Sequence, residues 1–168
     1  MINMERQELD DTIRKIRDWL TIELNFRCEI PVDSAHSHFQ IEFPSGSGRL
    51  VDVIFPKPRE DILLIVSATA LSKVYYDALK AMSVKKRRDI LWDMRFKLLF
   101  KGSEFQMIPS PEDLQRIQFI RPLRFDGLTQ NLLMDAIRED FRCHLFIEWT
   151  MMRLFGDGLP KSSDTMYG

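Results

Sequence analysis

The order of hydrophobic rhythms along the chain constrains the fold more than any other feature. Apolar residues first recur with the 3.6-residue period of a helix, and three segments with the two-residue period of strands follow. A long helical segment comes next, then two more strand-like segments and a final helix. This α-βββ-α-ββ-α order predicts an α+β fold with an antiparallel sheet of about five strands and helices packed on it.

The first half of the chain contains one helix and three strands. The helix is predicted over about residues 5–24, because its apolar residues form one narrow stripe between charged ones: Leu9, Ile13, Ile16 and Leu20. The strands are predicted at Phe39–Phe43, Val51–Phe55 and Ile62–Val66. Their connections are too short for a helix, so we expect antiparallel hairpins in a meander, with Ile62–Val66 as a central strand buried on both faces.

The second half begins with a helical segment over residues 71–101, which Ser83 divides by capping its second part. The apolar arc of that second part covers roughly two-thirds of the helix circumference, more than packing on one sheet requires. Strands are predicted at 105–108 and 116–125, with a single helical turn at 110–113 between them. A final helix is predicted over 128–155, and Gly156 is its expected stop.

Length and composition predict one domain over residues 1–156 and a mobile C-terminal tail over 157–168. The 24 basic and 25 acidic residues leave a formal charge of −1, so the molecule as a whole is not attracted electrostatically to nucleic acid or to an anionic membrane. The longest apolar run, Ile62–Val66, is too short to span a bilayer. Two distant cysteines, Cys28 and Cys143, indicate a reducing compartment, and we expect the protein to be cytoplasmic.

Two histidine-containing groups are candidates for chemistry. His36 and His38 would project to the same side of a strand and, with Asp33 nearby, suggest a metal-dependent enzyme. No third ligand accompanies them at a suitable spacing, and two solvated loop histidines are the simpler interpretation. His144 and Glu148 lie one turn apart on the last helix and offer an acid–base pair.

Glu148 also falls on the apolar face of the last helix, where a carboxylate needs a partner. Arg88 and Arg95 lie in comparable positions on the middle helix, so we expect a structural pair between Glu148 and one of these arginines. No serine, cysteine or lysine nucleophile has a recognisable base beside it. The sequence therefore predicts no catalytic, cofactor-binding or metal site, and it favours a protein without enzymatic activity.

A basic run opens the second part of the middle helix. Between residues 85 and 101 there are seven basic residues and two acidic ones. Lys85, Arg88, Trp92 and Arg95 follow one strip of that helix, and cations beside an aromatic ring could hold a nucleic-acid strand. No RNA-binding motif accompanies the run, so nucleic-acid binding is an alternative and a solvated or protein-contacting surface is the first interpretation.

The excess of apolar surface on the last two long helices predicts contacts with another protein. The expected contact residues are spread over both helices: Trp92, Phe96, Leu99, Trp149, Met151 and Phe155. Because neither helix can hide all of this surface on one sheet, we expect a homodimer and a client or partner protein.

The element order resembles the type III secretion chaperone-like fold, which has a helix, a three-strand meander, a second helix, further strands and a long closing helix. Here the order is carried by Leu9–Leu20, by the meander, and by Leu71–Phe100, Phe105–Ile108, Ile117–Phe119 and Met134–Phe155. The chain is also similar to an uncharacterised archaeal domain family thought to adopt that fold. The resemblance implies a homodimeric module that binds other proteins over hydrophobic patches beside its sheet, and it transfers no functional residues.

Overall fold

The computed structural model describes residues 2–23 and 25–156. Helices and strands follow one another along them: α1 Ile2–Ile22, β1 Phe26–Glu29, β2 Ala35–Glu42, β3 Leu50–Pro56, β4 Ile62–Ala70, α2 Lys73–Ala81, α3 Val84–Leu99, β5 Glu104–Pro109, β6 Leu114–Arg124 and α4 Gln130–Phe155. This order confirms the predicted α+β class. No helix among the described residues is both long and apolar enough to cross a membrane.

The strands form one antiparallel sheet in the order β1-β2-β3-β4-β6-β5. The predicted meander is confirmed in β2, β3 and β4, where Phe39 pairs with Val53 and Ile54 pairs with Leu64. The sheet has six strands where about five were predicted. The additional strand, β1, pairs with β2 at the edge of the sheet; its first residue, Phe26, is half-buried and its other three residues are exposed. A four-residue edge strand of this kind carries no hydrophobic alternation that a sequence pattern can detect.

The chain divides into two compact units. Of the described residues, the first unit comprises 2–23, 25–67, 102–105 and 119–142, and it contains a continuous apolar core. The core residues come from α1, β2, β3, β4 and α4: Ile16, Leu20, Phe39, Ile41, Val51, Val53, Phe55, Leu63, Ile65, Leu133, Met134, Ala136 and Ile137. Two-residue periodicity therefore supplied the buried face of the sheet, and 3.6-residue periodicity supplied the helices that share its core.

The second unit comprises, within the described part of the chain, residues 68–101, 106–118 and 143–156. Its buried apolar side chains come from α2, α3, β5, β6 and α4: Leu79, Leu91, Met94, Leu98, Met107, Leu114, Ile117, Cys143, Ile147 and Met151. Ser83 separates α2 from α3, and its hydroxyl accepts a hydrogen bond from the backbone N–H of Lys86 at 3.3 Å. The predicted cap at Ser83 is therefore confirmed.

Two local expectations are wrong. Residues 111–113 form a bend and not a helical turn, because the backbone enters strand β6 at Leu114 and pairing in the sheet replaces helical hydrogen bonds. β4 is buried on one face only: Leu63 and Ile65 are fully buried, whereas Leu64 is half-buried. The single domain over 1–156 stays a prediction, and the predicted tail over 157–168 lies outside the described residues.

Candidate functional site

Helix α3 has one buried face and one exposed apolar face. Leu91, Met94 and Leu98 are buried in the second unit. Trp92, Phe96 and Leu99 follow at intervals of four and three residues on another side of the helix, which places them on a common face. Their exposed fractions are 46%, 57% and 65%, and the ring centroids of Trp92 and Phe96 are 5.6 Å apart. We call these three exposed residues the α3 stripe.

Two further exposed apolar residues lie at the two ends of α3, apart from the α3 stripe. Val84 opens the helix and is 66% exposed, and Phe100 directly follows the helix and is 85% exposed. Single exposed apolar residues are common on proteins, but a contiguous set on one helix marks an interaction site more often than an ordinary surface. The surplus of apolar surface that the sequence predicted for α3 is thus present.

A groove of about 200 Å³ lies along α3, and we call it the α3 groove. It is lined by residues from the helix and from the connection between β5 and β6: Val84, Arg87, Arg88, Leu91, Trp92, Arg95, Pro111 and Glu112. Leu91 and Val84 give the groove an apolar lining, which we call its floor, and three arginines also line the groove. The groove therefore combines an apolar interior with a concentration of positive charge.

The arginines of the α3 groove differ in what they contact. The Arg95 guanidinium lies 4.2 Å from the centroid of the Trp92 ring, within the range of a cation–π interaction. Arg87 donates a hydrogen bond to the backbone oxygen of Lys80 at 3.4 Å. In the described part of the chain, no carboxylate forms an ion pair with Arg88 or Arg95.

The second wall of the groove is fixed to helix α2. The Asp113 carboxylate accepts hydrogen bonds from Lys80 Nζ at 2.7 Å and from the Tyr76 hydroxyl at 2.8 Å. The hydrogen bond from Lys80, followed by that from Tyr76, holds the pKa of Asp113 below its ordinary value. The same contact with Asp113 raises the pKa of Lys80. These bonds position the neighbouring Pro111 and Glu112 opposite α3.

The predicted contact residues on α4 do not share one environment. Trp149 is 63% exposed, whereas Met151 is fully buried. Consecutive helical residues are rotated by about 100°, so Met151 points about 200° away from Trp149. The two residues therefore do not share one exposed face, and their role as contact residues stays a prediction. Phe155 is half-buried, with its ring centroid 6.2 Å from that of Tyr75 on α2.

The structure brings together three of the four residues that were predicted to contact nucleic acid. Arg88, Trp92 and Arg95 line the α3 groove, and Lys85 is exposed but does not line it. Pro111 and Glu112 complete the groove, and sequence reasoning missed both. They are distant from α3 in sequence, and no local pattern indicates that they lie against it.

The two histidines near the N-terminus lie on a strand and not in the loop that was expected. His36 and His38 are both half-buried members of β2, on the side opposite Phe39. His38 Nε2 lies 2.8 Å from Asp52 Oδ1 on the adjacent strand β3. Asp33 precedes the strand and is exposed. Within residues 2–23 and 25–156, no three histidine, cysteine, aspartate or glutamate side chains are grouped as a metal site requires.

The second histidine-containing group, His144 and Glu148, lies on the last helix as predicted. His144 on α4 forms a hydrogen bond with the hydroxyl of Thr69 on β4. Glu148 is half-buried, but the expected pair with an arginine of α3 is wrong: Arg95 stacks on Trp92, and Arg88 faces the groove. Which carboxylate an arginine meets depends on how the helices pack, and spacing within one helix does not determine that.

The chain is similar to proteins of one uncharacterised family. A family model described as "Uncharacterized conserved protein (DUF2299)" matches residues 12–151. A crystal structure of an uncharacterized protein from Methanothermobacter thermautotrophicus is 30% identical, with a TM-score of 0.80. The similarity covers 85% of this chain and 98% of that protein. No curated protein matches the chain.

Proposed function

Since the chain belongs to the uncharacterised conserved protein family DUF2299, we propose its function from the geometry of the second unit. The protein is a cytoplasmic, homodimeric module that binds other proteins and has no catalytic activity. The resemblance of the element order to the type III secretion chaperone-like fold supports a chaperone-like role. The observation that carries the proposal is the α3 stripe, which is exposed in a single copy of the chain.

The size of the α3 stripe agrees with a reversible dimer. Complete burial of one large apolar side chain contributes about 1.5–3 kcal/mol, and the three side chains of the stripe are each about half exposed. In a symmetric dimer both copies contribute, which gives about 5–10 kcal/mol. Association costs about 4–15 kcal/mol, so the stripe supports a dimer that needs further contacts to become tight. Trp149 and Phe155 are the candidates for those contacts.

The dimer is tested by light scattering over a series of protein concentrations. We expect the parent to approach twice the monomer mass and Phe96→Asp to remain at the monomer mass, since a charge in the contact remains unpaired. Val74→Asp is the matched control, because Val74 is 49% exposed on the neighbouring helix α2 and lies outside the stripe. A parent that stays monomeric at every concentration, or a Phe96→Asp protein that dimerises equally, contradicts the proposal.

Nucleic-acid binding is a second candidate function, supported by the position of Arg88, Trp92 and Arg95 on one groove. The near-neutral charge of the whole chain argues against it. A filter-binding titration with single-stranded RNA tests it. Contacts to phosphates require affinity to fall steeply with salt, so binding that is absent or insensitive to salt rejects this function.

A further inference from the structure

The α3 groove has features that the proposed dimer does not use. Its apolar floor and its arginines lie on the flank of α3, beside the stripe. Trp92 is common to both surfaces, and Phe96 and Leu99 do not line the groove. A ligand of the groove therefore needs chemical properties that differ from those of a surface that binds the α3 stripe.

The charge of the groove selects an anionic ligand. From residue 85 to residue 101 the chain carries seven basic and two acidic side chains, whereas the whole chain carries a formal charge of −1. Arg88 and Arg95 have no ion-pair partner among the described residues, and Arg95 is held against the Trp92 ring. A guanidinium fixed in this way loses little freedom when it binds a carboxylate with two parallel hydrogen bonds.

The shape of the groove selects an apolar group beside that anion. Val84, Leu91 and Pro111 present carbon atoms, and the volume of about 200 Å³ is suited to one large side chain. Extended nucleic acid needs a continuous track of phosphate contacts with several stacking platforms, and this groove offers one aromatic ring. A short protein segment with an acidic residue next to an apolar one meets both requirements.

Glu112 determines the orientation in which such a segment would bind in the groove. It is the acidic residue that lines the groove, on the wall opposite α3, and the described residues contain no ion-pair partner for it. A carboxylate of the ligand is repelled at this wall and attracted at the arginine flank. The apolar residue of the ligand then occupies the floor between them.

We propose that the α3 groove binds an acidic–apolar segment of a partner protein, with its carboxylates on Arg88 and Arg95 and its apolar side chain against Leu91 and Trp92. This inference deepens the proposed function, because it names the chemistry of the partner. It uses the arginine flank of α3, and the homodimer uses the exposed stripe. The two surfaces share Trp92, so the proposals are separated at residues that belong to one surface only: Phe96 and Leu99 for the homodimer, and Arg88 and Arg95 for the ligand.

The probe is the capped peptide acetyl-Asp-Asp-Phe-Leu-amide, compared with analogues in which Asn or Lys replaces both Asp residues. Binding is followed through the ¹⁵N-labelled indole resonances of the full chain, and Trp92→Phe identifies the resonance of Trp92. We expect saturable binding of the acidic peptide, with a shift of the Trp92 indole signal. Weaker binding is expected for the Asn analogue and none for the Lys analogue. Affinity should fall between about 0.05 and about 0.5 M salt, where charge screening increases.

Matched variants locate the charge contacts. Arg88→Gln and Arg95→Gln should each weaken binding roughly tenfold, because each removes one hydrogen-bonded contact with a charged group. Glu112→Gln should strengthen binding, since it removes the repulsion. Arg138→Gln is the control, because Arg138 is an exposed arginine of the first unit that pairs with Asp135 and lies outside the groove. It should leave binding unchanged.

Each result supports or overturns the inference. Equal affinity for the Asp and Lys peptides, or no loss in Arg88→Gln and Arg95→Gln, overturns it. A shift of the Trp92 signal by single-stranded RNA but not by the acidic peptide overturns it in favour of nucleic acid. A monomer that binds the acidic peptide through Arg88 retains the inference and rejects the homodimer. A dimer that does not bind the peptide retains the homodimer and rejects the inference.

Discussion

The substitution Leu99→Ala should weaken dimerisation without destabilising the folded monomer, and it therefore tests whether the α3 stripe acts in association and not in folding. Leu99 is 65% exposed in one copy, so its burial in a dimer contributes about two-thirds of the roughly 1.5–3 kcal/mol for a whole leucine side chain. A symmetric dimer loses this contribution twice, which amounts to about 2–4 kcal/mol. Alanine retains the β-carbon, so we expect the lower end of this range, a rise in dimer Kd of about thirtyfold.

Sedimentation equilibrium over a concentration series measures this change in Kd. The folded monomer should be affected little, because exposed substitutions usually change stability by less than about 0.5 kcal/mol. Leu132→Ala is the matched control: Leu132 is 52% exposed on α4, in the first unit, and outside the proposed contact. A Leu99→Ala protein with an unchanged Kd would refute the reasoning. Equal weakening by Leu132→Ala would show that exposure alone, and not the stripe, determines the effect.

Two further predictions concern the supports of the α3 groove. Ser83→Ala removes the hydroxyl that accepts a hydrogen bond from the backbone N–H of Lys86, and it should lower the free energy of unfolding by about 0.5–2 kcal/mol. Urea denaturation measures this change, and Ser45→Ala, in a surface turn, is the neutral control. The hydrogen bond from Lys80 lowers the pKa of Asp113 in the folded protein. The ionised Asp113 therefore stabilises the fold fully above its unfolded pKa of about 3.9, and this stabilisation is lost as the pH falls through the folded pKa. Asp113→Asn should therefore reduce the loss of thermal stability on acidification, and an unchanged pH profile would contradict this assignment.

Much of the fold was predictable because its signals are local. Alternation in Phe39–Phe43 and in Val51–Phe55 identified strands whose buried faces the structure confirms. The helical stripe of Leu9, Ile16 and Leu20 identified α1, and all three side chains are buried. β1 escaped because a four-residue exposed edge strand has no periodic pattern, and the bend at 111–113 was misassigned because its serine-proline sequence also suits a helix start.

The candidate site was predictable only in part. The excess of apolar residues on α3 follows from the sequence, since the arc is wider than one sheet can cover. The pairing of Glu148 with an arginine of α3 was wrong, because the partners of a half-buried side chain depend on its three-dimensional neighbours. Met151 was predicted as a contact residue and is buried within one copy of the chain. A helix with apolar residues on most sides does not reveal from its sequence which side is buried.

The sequence by itself determined the types and order of the elements, the capped start of α3 and the surplus of apolar surface on that helix. These features depend on residues within a few positions of one another, where backbone geometry fixes which side chains share a face. Tertiary structure alone decided that Pro111 and Glu112 lie across from Arg88 and Trp92 to form a groove. That juxtaposition depends on sheet pairing and on the contact of Asp113 with Lys80, which join segments about thirty residues apart through interactions that no local pattern encodes.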